Sequence, residues 1–213
     1  MRWPCTNSEL QPPELGVEEG GLFSAEALML ARYFMYSQLY FHSVRRIYNI
    51  HLIDFFRAWL PNGKFNTNVE KHLRLTDNEV MSAILTAARD KADRAHDPAR
   101  RIACRDHFRL VYERNPDDTR LNTAPGAAVF TALRKSFDST LIRHDVKLPS
   151  GGAPDFPVRM HDDRIASSMA VSETLSKVPV PTVDFIFADK SIATQVREFI
   201  QQKRADILKI KEE

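Results

Sequence analysis

The sequence is poor in the residues that build several common kinds of site. Of its 213 residues, two are cysteines, Cys5 and Cys104, and seven are glycines. Two thiols exclude a disulfide framework and a cysteine-based zinc module. The few glycines form neither a phosphate loop nor a dinucleotide fingerprint. No Gly-x-Ser-x-Gly elbow marks an activated serine, and Cys104 sits among arginines with no sequence-defined base beside it. No apolar run approaches the ~18 residues that span a bilayer. Behind Met1-Arg2-Trp3-Pro4 there is no apolar stretch of a secretory signal. The 30 Lys+Arg against 28 Asp+Glu leave a net charge of +2, which argues against nucleic acid as a partner. With 43% hydrophobic and 27% charged residues, the expectation is a folded, soluble, cytoplasmic protein with no membrane partner.

What is present has a clear order. Residues 1–21 hold Pro4, Pro12, Pro13 and the run Glu18-Glu19-Gly20-Gly21, a composition that favours irregular structure. From residue 25 to about 60 there is no Pro or Gly, and Leu28, Ala31, Met35 and Leu39 recur at three- and four-residue steps. This predicts one long helix or two abutting ones, capped by Ser24 and stopped by Pro61-Asn62-Gly63. Aromatic groups on several of its faces predict burial or an interface. Thr76-Asp77-Asn78-Glu79 fits a capping box, in which hydroxyl and carboxylate each satisfy a free backbone N–H. A helix follows from Asp97-Pro98, then a strand over 108–113. Beyond residue 115 the pattern predicts a helix over 126–137, a strand over 139–148 and a turn-rich stretch over 149–157. Short β pieces at 158–160 and 164–166 precede a helix over 170–177. The clearest strand is 182–187 and the clearest late helix 192–210. The fold class is α+β, with a mainly helical N-terminal half and a smaller α+β C-terminal part. The expected division is an irregular 1–21, a helical 22–113 and a small α+β subdomain over 114–213.

Three His-Asp pairs, His96-Asp97, His144-Asp145 and His161-Asp162, bear on metal binding. A usable site needs further ligands converging on each, and none is evident, so they read as surface loops. The group Arg94, Arg100, Arg101, Arg105 and Arg109 alternates with aspartates and reads as a solvated helix face. The informative place is the aromatic helix. Arg32, Tyr36 and Tyr40 are four residues apart and share one side of it. A guanidinium fork can bind phosphate oxygens, and a tyrosine can stack on a sugar or base. The same stripe also reads as core with a snorkelling arginine. His42 points to nearly the opposite side, beside Arg45 and Arg46.

The stretch Ala31-Arg32-Tyr33-Phe34-Met35-Tyr36-Ser37-Gln38-Leu39-Tyr40-Phe41-His42 resembles the "ARxxMYxxxYxH" helix of HD-superfamily nucleotide phosphohydrolases. Among these are deoxynucleoside triphosphate triphosphohydrolases of the sterile-alpha-motif-and-HD type. The resemblance continues in order through His72-Leu73-Arg74-Leu75-Thr76-Asp77-Asn78 and Arg105-Asp106-His107-Phe108-Arg109-Leu110-Val111-Tyr112, the latter similar to that family's "YRxLFKxV" strand. It covers residues 22–113.

The resemblance implies roles for individual residues. Arg32 would contact the triphosphate of a dNTP, Tyr36 would sit beside the phosphates, and Tyr40 would pack against the deoxyribose. His42 would correspond to a residue at a regulatory nucleotide site between subunits, where the neighbouring Ser43 replaces a Lys. The family's divalent metal (Mg, Mn, Fe or Zn) needs a His, a His-Asp pair and an Asp preceding the arginine helix, and residues 1–21 hold neither His nor Asp. The chain therefore resembles the C-terminal portion of such an enzyme, without catalytic or metal-ligating residues of its own. It would be inactive alone, and would partner with an HD half or with further copies of itself. Two other readings of the same residues stand beside this one: a non-catalytic nucleotide-binding subunit that pairs with a separate HD subunit, and a helical scaffold whose aromatic stripe is only core.

Overall fold

A short strand β1 (Val17–Glu18) and a 3-10 turn over Glu19–Gly21 lead into α1 (Leu22–Phe34). In this computed structural model, residues 14–147 and 155–209 are described. Cys5, Pro4, Pro12, Pro13, Leu148, Ile210 and residues 149–154 of the expected turn-rich stretch lie outside them. The expected cap Ser24 falls inside α1, because Gly21 is already in the right-handed helical region and the 3-10 turn runs straight on. Residues Met35–Tyr40 widen into a π-helical turn, and the helix then breaks at His42, whose ψ of 130° is not helical. A new helix, α2 (Ser43–Trp59), starts there, so the long apolar pattern is two abutting helices. It ends at the predicted Pro61-Asn62-Gly63, where Asn62 (φ 53°) and Gly63 (φ 66°) take left-handed conformations that those residue types tolerate best.

A helix without a sequence forecast, α3 (Val69–Leu73), is held by Asn68, whose side chain accepts from the Lys71 amide at 3.1 Å. The predicted capping box opens α4 (Asp77–Arg89): the Thr76 amide donates to Glu79 Oε2 at 2.9 Å. There follow α5 (His96–Ala103), β2 (Arg109–Glu113), α6 (Pro116–Leu121), α7 (Pro125–Ser136) and β3 (Ile142–Lys147). The C-terminal part continues with β4 (Pro157–Arg159), β5 (Ile165–Ser167), α8 (Ser168–Val171) and α9 (Glu173–Lys177), and closes on β6 (Val183–Ala188) and α10 (Ala193–Lys209). The chain is α+β, mainly helical in its N-terminal half, with two three-stranded sheets. Among the described residues no helix is long and apolar enough to cross a membrane.

The described residues group into two compact units that do not follow the chain linearly. The larger takes residues 42–146 and those from 183 onward. Within it, Phe55 of α2 packs with Ile84 and Ala87 of α4 and with Ala95 and Ala99 beside and on α5. Its sheet has the order β2-β6-β3, with β2 and β6 antiparallel and a register shift between Leu110 and Tyr112. Strand β6 is apolar almost throughout because both its faces are covered, and its Ile186 packs with Val129 and Leu133 of α7 and Val196 and Ile200 of α10. Buried Asp118 is satisfied by the Tyr112 hydroxyl at 2.8 Å and by a two-pronged contact from Arg204.

Two surface expectations are corrected in this unit. The arginines near α5 are only partly a solvated face: Arg94 and Arg105 are exposed as expected, but Arg101 pairs with Asp189 at 2.7 Å and lies 4.3 Å over the Phe108 ring, and Arg100 pairs with Asp106. His144-Asp145 is not a loop but part of β3. His144 meets Asp184 at 2.7 Å, and Asp145 takes a fork from Arg46 at 2.7 and 2.6 Å. Their partners come from distant segments, which no local pattern reveals.

The smaller unit holds the described residues up to Phe41, Lys147, and those from 155 to 182. Its sheet has the order β1-β4-β5: Val17 pairs with Val158 in parallel, and Val158 with Ala166 antiparallel. The helix expected over 170–177 is divided at Ser172, which leaves helical geometry to cap α9 by accepting from the Leu175 amide at 2.9 Å. The same hydroxyl donates to Glu26 at 2.5 Å and pins α9 to α1. Helix α1 buries no residue, with Phe23 80% and Leu28 64% exposed; of the burial or interface expected for the aromatic stretch, burial is found in α2, at Ile47, His51 and Phe55.

Candidate functional site

The C-terminal end of α1 and the π-helical turn together make a short stack of rings closed by a cation at each end. The Arg32 guanidinium lies 4.9 Å from the centre of the Tyr36 ring. Tyr36 in turn lies 5.2 Å from Tyr40 and 5.4 Å, edge-on, from Phe41. The ammonium of Lys147, at the end of β3, sits 5.6 Å from the Phe41 ring. The structure thus brings Arg32, Tyr36 and Tyr40 together, as their four-residue spacing predicts. The wider turn adds Phe41, because the Phe41 amide donates to the Tyr36 carbonyl at 2.9 Å, five residues back. Phe41 is buried while Arg32 and Tyr40 stand exposed. A fixed ring at the base and reachable groups above it suit a ligand with a flat face and a negative charge. Arg32 has no carboxylate partner among the described residues, so its donors are available to an anion.

His42 opens the next helix. It is the N-cap of α2, its Nδ1 accepting from the Val44 amide at 3.3 Å, which leaves the proton of the neutral ring on Nε2. Phe41 and Lys147 are the residues that sequence reasoning misses. A 3.6-residue period cannot place Phe41 under Tyr36, and Lys147 reaches the stack only through the tertiary fold.

Other titratable groups are engaged elsewhere. His51 is buried, accepts from the Phe108 amide at 3.3 Å, and has its pKa lowered to about 4 by burial and then by Arg101, Arg143 and His107. Burial opposes the charge on Asp189, yet the Ser191 amide, Arg101 and the Ser191 hydroxyl outweigh it and hold its pKa at about 2. Among the described residues, no three His, Cys, Asp or Glu side chains converge to hold a metal ion. A shallow groove of about 450 Å³ lined by Trp59, Ser82, Thr86 and Asp93 contains none of the residues of the stack.

The family model of the HD associated region matches residues 5–125, more than half of the chain. The chain belongs to the HD-associated region family. The match encloses residues 22–113, the stretch that carries the sequence resemblance, and with them the whole run from α1 through α6. Among solved structures, this HD-associated region is similar to a hypothetical protein from Aquifex aeolicus, at 25% identity and a TM-score of 0.72, over 86% of this chain and 46% of that one. It shares its fold with a phosphohydrolase from Bacteroides thetaiotaomicron at 14% identity and a TM-score of 0.58, over 83% of this chain and 52% of that one. The chain therefore spans about half the length of these two solved proteins. No curated protein matches it.

Proposed function

We propose that this HD-associated region is the substrate-binding part of an HD-family phosphohydrolase acting on deoxynucleoside triphosphates. The observation that carries the reading is Arg32, an arginine without a carboxylate partner among the described residues, standing over a stack of rings inside the family match. In this reading the Arg32 fork takes phosphate oxygens, and Tyr36 and Tyr40 supply the flat, partly polar surface for the sugar. The fold shared with a phosphohydrolase supports the reaction class.

The described residues do not fit a divalent metal. The most promising pair, His144-Asp145, is spent on Asp184 and Arg46. No hydrolytic step is therefore assigned to them, and their chemistry is binding and orientation. The metal (Mg, Mn, Fe or Zn) and its ligands would come from other polypeptide, an HD half.

Titration of dGTP against the wild-type chain and Arg32→Ala tests this. The expected result is saturable binding by the wild type and a loss of about tenfold or more in the variant, the worth of one charge-assisted contact. Equal binding by both would remove Arg32 from the site, and robust hydrolysis by the chain alone with Mg²⁺ or Mn²⁺ would overturn the division of labour.

A further inference from the structure

We infer that Lys147 is a second phosphate-binding residue of the same site, and that it makes the site favour polyphosphates over monophosphates. The inference rests on the nucleotide reading of the Arg32 stack. Lys147 comes from β3, far from α1 in sequence, yet its ammonium lies on the ring of Phe41, which packs against Tyr36, which lies beneath Arg32. The three steps are 5.6, 5.4 and 4.9 Å, so a run of ring contacts links the two cations.

Among the described residues, Arg32 and Lys147 form no ion pair. A ring face attracts a cation through its quadrupole but carries no net charge, so the full positive charge of Lys147 remains for an anion. Phe41 is buried with only 8% of its surface exposed, so the platform under the lysine is fixed rather than wandering with it. Lys147 itself is exposed, and its three N–H donors can turn from the ring toward a ligand. Two separated cations suit a chain of phosphates better than a single one. A monophosphate held by the Arg32 fork leaves Lys147 unsatisfied, whereas a di- or triphosphate has further oxygens to offer it.

The test is calorimetric titration of the full chain with dGTP, dGMP and inorganic tripolyphosphate, for wild type, Lys147→Gln and Lys147→Arg. The wild type is expected to bind dGTP more tightly than dGMP. Lys147→Gln should weaken dGTP and tripolyphosphate about tenfold and leave dGMP nearly unchanged, and Lys147→Arg should restore most of the loss. The substituted side chain is exposed, and a matching melting temperature confirms that the variant is folded. Equal losses for dGTP and dGMP, or no loss for either, overturn the inference; if Arg32→Ala still weakens dGTP, the nucleotide reading survives without it. A wild-type chain that binds none of the three probes overturns both.

Discussion

Asp184 occupies the space that a side chain at position 126 would need. Its Oδ1 lies 1.9 Å from where a Cβ on Gly126 would stand, and the same oxygen is 2.7 Å from His144 Nε2. Gly126 sits in the first turn of α7, so the carboxylate fills the positive end of that helix while bonding to β3.

The first prediction follows from that geometry. Gly126→Ala forces Asp184 aside, and the short side chain cannot move without giving up His144. The variant should lose roughly 1–3 kcal/mol of stability, the usual range for overpacking a filled site. Urea denaturation measures it, and an unchanged midpoint would show that Asp184 yields freely.

The second concerns acid. His51 is buried neutral, with its folded pKa of about 4 well below the ordinary 6.5, and it faces Arg101, Arg143 and His107 as well as Asp189. The unfolded chain therefore binds more protons between these two values, so stability from this group is complete above pH 6.5 and falls as the pH drops toward 4. The loss across that window should approach about 2–3 kcal/mol. His51→Gln keeps an acceptor for the Phe108 amide but cannot charge. Its unfolding free energy should vary less between pH 4 and 7 than that of the wild type, and parallel curves would refute the assignment.

The third uses backbone strain. Arg105 has φ 55°, a left-handed conformation that costs a residue with a Cβ, and it is exposed just beyond α5. Arg105→Gly should raise stability by about 0.5–1 kcal/mol, the relief of strain less the extra freedom of glycine in the unfolded chain. A lowered melting temperature would mean that the Arg105 side chain makes contacts worth more than the strain.

Some of this structure is legible in sequence and some is not, and the division follows the range of the forces involved. Thr76 and Glu79 announce their helix because capping is settled within four residues. The apolar run that becomes β6 is visible because a strand covered on both faces must be apolar. Arg32, Tyr36 and Tyr40 can be grouped in advance because residues four apart meet on a helix. Phe41 cannot, since the π-helical turn changes the period at that point. The short helices α3 and α6 escape because each has too few residues to show an apolar stripe; Asn68 and Asn115 cap them locally. His144, Asp145 and Arg101 are misjudged as surface groups because Asp184, Arg46 and Asp189, which hold them, lie in distant segments.

The bond between Ser172 and Glu26 joins residues 146 positions apart, and it has a consequence for synthesis on the ribosome. Helix α1 is made well before β4, β5 and α9, which complete its unit. At ~5–20 residues per second, Glu26 of the nascent α1 waits on the order of ten seconds for Ser172. Through that interval α1 has no α9 to pack against. A shortened product that stops before residue 155 would never leave that state.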